Sequence, residues 1–198
     1  MISKNFIKTV VATLALMGLL IFSYLKIRKE REREFNPFTL KLNTGTTSVT
    51  LEKLKENKIV LMYFGFLSCP VACPTTLSSM SAVFKELPKA KLDKLSFVYI
   101  DLDPERDSIE KIKEYVSYFH PKIVPISLGL DELGQFTSAF GIAFMKVPLK
   151  SAMGYTIDHS TDIIVLSPNG DIIEFIPHGT PKVVLLNRLN GLIDKYFK

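Results

Sequence analysis

A third cysteine is missing from this chain, as are any internal repeat, any low-complexity tract and any charge excess over most of its length. With only Cys69 and Cys73 present, all chemistry through sulfur runs through one pair. The formal charge of +5 suggests a basic protein, but it is unevenly placed. Residues 1–34 hold seven basic and three acidic side chains. The remainder holds 18 basic and 17 acidic ones, so the pI near 9.1 does not report a nucleic-acid surface, and none is expected. At 198 residues the chain allows one core of ordinary size.

What is present begins with an apolar run. Thr9 to Leu25 is 17 residues without a charge. At about 1.5 Å per residue it falls slightly short of a hydrocarbon core of ~30 Å. Phe6, Ile7 and Ile27 extend it, and Lys8 and Lys26 can snorkel. The run therefore reads as a single transmembrane helix. A cleaved signal peptide is the rival reading, but no small-x-small site follows; Tyr24-Leu25-Lys26-Ile27-Arg28 comes instead. Lys26, Arg28, Lys29, Arg31 and Arg33 follow the run, against Lys4 and Lys8 before it. By charge alone the C-terminal side belongs in the cytoplasm. The same basic flank can touch anionic lipid head groups. Residues 1–34 are read as anchor and flank, and residues 35–198 as the folded domain.

The folded part alternates strand and helix signals, the pattern of an α/β layer fold. A linker over 34–49 carries a turn at Asn43-Thr44-Gly45, and a short helix is expected over 51–57. Strands are expected over 58–66, 95–100, 122–128, 160–166 and 171–176, and helices over 75–87 and 131–140. Asp107 and Glu110 fit a capping box ahead of a helix with Ile109, Ile112, Val116 and Phe119 inward. Asn169-Gly170 signals a hairpin, and Pro181 the first position of the last helix.

Cys69 and Cys73 lie in Ser68-Cys69-Pro70-Val71-Ala72-Cys73-Pro74, and His159 lies in Ile157-Asp158-His159-Ser160. Two thiolates and an imidazole are a soft three-ligand set suited to copper, Cu(I) above all. The same thiols can close a disulfide, inert or redox-active. Cys73, just before the expected helix, should have its thiolate favoured by the helix dipole. His159 is expected to open a strand that ends beside the cysteine loop. His120 and His178 read as structural histidines. The acidic loop Asp103 to Asp107 reads as a cap with an arginine pair rather than a metal site.

Three blocks in order resemble the SCO/SenC copper proteins. They are Tyr63-Phe64-Gly65-Phe66 with Cys69-Pro70-x-x-Cys73-Pro74-Thr75-Thr76-Leu77, then Asp101-Leu102-Asp103-Pro104-Glu105-Arg106-Asp107, then Tyr155 to Ser160. The resemblance covers about residues 35 to 198. It implies a thioredoxin-like fold with a central mixed sheet flanked by helices, behind a membrane anchor. It implies copper, as Cu(I) or Cu(II), held by Cys69, Cys73 and His159. It further implies a role in assembling the binuclear copper (CuA) centre of cytochrome c oxidase. A copper donor protein and the copper-site subunit of the oxidase would then be partners, and the domain would lie outside the cytoplasm, against the charge rule. The family usually carries an acidic residue where this chain has Val71. A thiol-disulfide reductase acting through Cys69 and Cys73 uses the same residues. A peroxiredoxin-like peroxidase needs only one cysteine and no imidazole ligand, so His159 separates the readings.

Overall fold

Seven consecutive buried residues, Ile59–Gly65, form the strand on which the fold is built. A run apolar on both faces suits the middle of a covered sheet, where neither face meets water. The computed structural model describes residues 4–198, and the side chains of these except residues 4, 5, 7, 9 and 29–34. The Lys4, Ile7, Lys29, Arg31 and Arg33 side chains of the apolar run and its flank lie outside that set.

The element order is α1 (Lys4–Glu34), β1 (Leu42–Asn43), β2 (Ser48–Val49), α2 (Leu51–Leu54), β3 (Ile59–Gly65), α3 (Ala72–Glu86), α4 (Lys89–Leu92) and β4 (Leu95–Asp101). Then come α5 (Ile109–Phe119), β5 (Ile123–Ile126), α6 (Leu130–Ala139), β6 (Phe144–Pro148), β7 (Tyr155–His159), β8 (Ile163–Leu166), β9 (Ile172–Ile176) and α7 (Lys182–Tyr196). The chain divides into two units at Asn36–Pro37. A residue before proline is pushed away from the helical region, which suits a break there. In the first unit, Val10–Arg28 has a mean hydropathy of 2.1 and the length to cross a membrane.

The second unit holds a five-stranded sheet in the order β5-β4-β3-β8-β9. β3, β4 and β5 run parallel, and β8 and β9 run antiparallel to their neighbours, so the sheet is mixed as expected. Alternation along each strand sends side chains to opposite faces. On one face Leu61, Tyr63, Phe97, Tyr99 and Val165 meet Leu77, Met80 and Phe84 of α3, Ile112 and Val116 of α5, and Leu185, Leu189 and Ile193 of α7. On the other, Phe64 meets Phe136 of α6, with ring centroids 6.4 Å apart. The helices therefore flank the sheet in a thioredoxin-like layered fold.

Several expected boundaries move. β5 is shorter than 122–128 and β8 starts at Ile163 rather than Ser160. Ser108, not Asp107, caps α5, its hydroxyl accepting from Lys111 N at 3.5 Å. No capping box forms, because Asp107 is turned inward to another backbone N–H. Pro181 is the N-cap of α7 rather than its first helical residue. The Asn169-Gly170 hairpin joins β8 to β9, with Gly170 at φ 98°, where only glycine is unstrained. The segment between α6 and β8 contains a separate two-stranded hairpin, β6–β7.

Candidate metal centre

The cysteine loop leaves the end of β3 and turns at once into α3. α3 begins at Ala72, three residues earlier than the sequence suggests. Cys73 is thus already inside the first turn, and its side chain points back into the core, fully buried. Cys69 stays in the loop, half-buried. Its sulfur accepts from Cys73 N at 3.4 Å, and Val71, the N-cap residue, gives no side-chain cap. The N-terminus of α3 therefore points its unpaired N–H groups at Cys69.

This reverses the expectation for the two thiols. The hydrogen bond from Cys73 holds the Cys69 thiol well below the usual range. Partial burial opposes this, while His159 and the backbone N–H groups of Cys73 and Val71 reinforce it. The hydrogen bond to Cys69, then burial and the Cys69 charge, push the Cys73 thiol up. The pair shares one proton: Cys69 is the thiolate and Cys73 the buried thiol. Cys69 faces the start of α3, while Cys73 lies within its first turn and is buried.

The walls around Cys73 are aromatic. Tyr99 Oη lies 4.0 Å from Cys73 Sγ, and Tyr63 packs beside both. Gly65 makes room: a Cβ there would stand 2.6 Å from Cys73 Sγ and 2.8 Å from Tyr99 Oη. Below the loop, Leu67 N donates to Asp107 Oδ2 at 2.7 Å. Asp101 lies beside Asp107, fully buried. Burial, then the Asp107 charge, push the Asp101 carboxyl up to about 9, so it is protonated at neutral pH.

His159 closes β7 instead of opening a strand; it pairs with Phe144 across the hairpin. Residues 160–162 then carry the chain from the hairpin to β8, which is why the expected strand starts late. The imidazole packs edge-on against Phe66, with centroids 5.9 Å apart. Its Nδ1 meets Ser160 O at 2.7 Å, so a backbone carbonyl orients the ring. With Nδ1–H held by that carbonyl, Nε2 is the nitrogen that a metal ion would take. The ring lies within hydrogen-bonding reach of Cys69. Beside it is an open groove lined by Phe144, Met145, Asp158 and Ser160.

The fold thus brings all three expected residues to one end of the sheet. Their chemistry fits a soft metal: one thiolate, one thiol that a metal ion would deprotonate, and one imidazole. Among the described residues no three such side chains already surround one point closely enough to hold an ion. Closing the set requires the His159 hairpin or the cysteine loop to shift. His120 accepts from Lys122 N at 3.2 Å and packs against Phe84, and His178 pairs with Thr76 Oγ1 at 2.9 Å. The acidic stretch forms the expected arginine pair, Asp103 with Arg106. The supports at Gly65, Asp107 and Tyr155 escape a reading of the sequence. All three fall in the blocks quoted above, but their partners are distant in sequence.

Known proteins are similar to this chain in sequence and fold. The chain is 31% identical over 157 residues to the human mitochondrial SCO1 homologue, covering 76% of this chain and 52% of that protein. It therefore spans about half the length of that relative. The structure of Arabidopsis thaliana ScoI with copper bound superposes with a TM-score of 0.70 at 27% identity, covering 79% of this chain and 97% of that one. Yeast Sco1 with copper bound gives 0.71 at 27% identity, covering 81% and 88%. The SCO1/SenC family model matches residues 27–194, and the chain belongs to the SCO1/SenC family.

Proposed function

We propose that this chain binds one copper ion through Cys69, Cys73 and His159 and serves in assembly of the CuA centre of cytochrome c oxidase. One observation carries the reading: Cys69 Sγ accepts from Cys73 N at 3.4 Å and lies within reach of both the Cys73 thiol and the His159 ring. The copper-bound plant and yeast relatives support it. Copper is cargo here. Three ligands, two of them half-buried, leave room for a fourth ligand from a partner, so the ion can pass by ligand exchange. The partners are a copper donor and the copper-site subunit of the oxidase. α1 anchors the chain as a single pass, with the domain on the periplasmic or intermembrane-space side.

Reduction of the acceptor's cysteines is the second reading, favoured by the thiol–thiolate pair itself. The two are separable. His159→Ala should weaken copper binding, remove imidazole scattering and spare dithiol reduction. For the copper reading, load the full chain in detergent with Cu(I) and record X-ray absorption. We expect sulfur and imidazole scattering. Cys73→Ala should weaken binding by more than the roughly 10–100-fold that outer-shell changes cost. A shell without sulfur, or unaltered binding in Cys73→Ala, removes the copper reading.

A further inference from the structure

The hairpin that carries His159 is not part of the main sheet: β6 and β7 pair only with each other. Something else must hold it against the cysteine loop. Tyr155, Ile157 and His159 alternate along β7 and so share one face. Ile157, in the middle of that row, is buried. At the far end stands His159, against Phe66. At the near end Tyr155 is engaged by Arg106.

Arg106 reaches Asp103 on one side and the hairpin on the other. Its Nε donates to Asp103 Oδ2 at 2.5 Å. Its Nη1 donates to Met153 O and to Tyr155 O, each at 3.0 Å. The guanidinium lies 3.6 Å from the centre of the Tyr155 ring. Tyr155 Oη closes the circuit by donating to Asp103 Oδ1 at 2.7 Å. Asp103 is almost wholly buried, so these charge-assisted bonds work in a low dielectric. A planar fork that also stacks is something lysine cannot supply. One residue further on, Asp107 holds Leu67 N in the cysteine loop. A five-residue loop, Asp103 to Asp107, thus grips both halves of the site.

We propose that Arg106, locked to Asp103 and stacked on Tyr155, is the positioning residue that seats the His159 hairpin against the cysteine loop. Its copper consequence rests on the function proposed above; its mechanical consequence does not. Without the guanidinium the row Tyr155-Ile157-His159 keeps the burial of Ile157, the edge contact with Phe66, the Tyr155 hydroxyl on Asp103 and exposed contacts of Lys146. It loses the two bonds from Arg106 to the hairpin backbone and the stack on Tyr155. The imidazole then moves away from Cys69 while the thiol pair stays in place.

The test uses the full chain in detergent micelles, with two readouts. The first is amide hydrogen exchange without metal. In Arg106→Leu, exchange over residues 144–159 should rise about tenfold to a hundredfold, the worth of a hydrogen bond to a charged group. Exchange in β3 should stay unchanged. Arg106→Lys should resemble Arg106→Leu. Tyr155→Phe, which keeps the ring and loses one hydroxyl, should give a smaller rise in the same segment. Glu105→Gln breaks an exposed ion pair with Lys146 of the hairpin, leaves Lys146 over the Tyr155 ring, and should leave exchange as it was. The second readout is X-ray absorption after Cu(I) loading, where Arg106→Leu should keep sulfur scattering and lose imidazole scattering. Unchanged hairpin exchange in both Arg106→Leu and Tyr155→Phe overturns the proposal. So does a rise in β3 that matches the hairpin, because Arg106 would then serve the whole fold. If the unaltered chain takes up no copper, the proposed function fails, and the exchange data still decide this inference.

Discussion

At the scale of single residues, the site depends on where atoms are absent as much as on where they stand. Gly65 has no side chain between Cys73 and Tyr99, and both neighbours are buried and packed. Gly65→Ala should destabilise the fold by about 1–3 kcal/mol, as overpacking does. It should also change copper affinity, since Cys73 Sγ must move to admit the methyl group. Chemical denaturation and a chelator competition on the same variant check both effects. Stability and affinity equal to those of the unaltered chain would show that the pocket adapts. The three ligand candidates were legible in the sequence because cysteine and histidine are so scarce. Which cysteine carries the charge was not legible, since the sequence did not place Cys73 buried within the first turn of α3.

At the scale of elements, strands and helices with a strong apolar pattern stand close to where the sequence put them. β3, β4 and α3 are examples, each with buried residues at the period of its element. The β6–β7 hairpin went unread for a physical reason: β6 is exposed along most of its length and has no apolar periodicity. It is held by Arg106 from a distant loop, and such a contact leaves no local signal. The end of β4 adds a pH-dependent contribution. Asp101 pairs with Gly65 across the sheet and keeps its proton up to about 9, because burial and then the Asp107 charge disfavour its ionised form. The unfolded chain releases that proton near 3.9. The folded state therefore binds more protons between about 4 and 9, and stability from this group falls as pH rises through that window. Asp101→Asn replaces the acid with a neutral group of the same shape. Its stability relative to the unaltered chain should rise by at least about 1 kcal/mol from pH 5 to pH 8. Parallel denaturation curves at the two pH values check this, and a pH-independent difference would mean that Asp101 ionises in the folded state.

At the scale of the whole molecule, the break at Asn36–Pro37 separates an apolar helix from a folded body. The full chain should remain with membranes through alkaline carbonate extraction, and residues 37–198 expressed alone should not. An export-dependent reporter fused after Lys198 should be active, in spite of the basic residues that follow the helix. Activity of a cytoplasmic reporter instead would mean that the flank sets the orientation. The burial of Cys73 beneath the half-buried Cys69 has one more consequence, for meetings with other molecules. The pair has an outer and an inner sulfur, so any approaching nucleophile or competing ligand meets them in a fixed order. Only the outer Cys69 thiolate can attack a partner's disulfide; the mixed disulfide then forms at Cys69, and the partner's other sulfur leaves as a thiolate. A metal ion handed over would be released first by His159 and Cys69 and last by Cys73. Under the copper role proposed above, the transfer would then have a direction before any partner arrived.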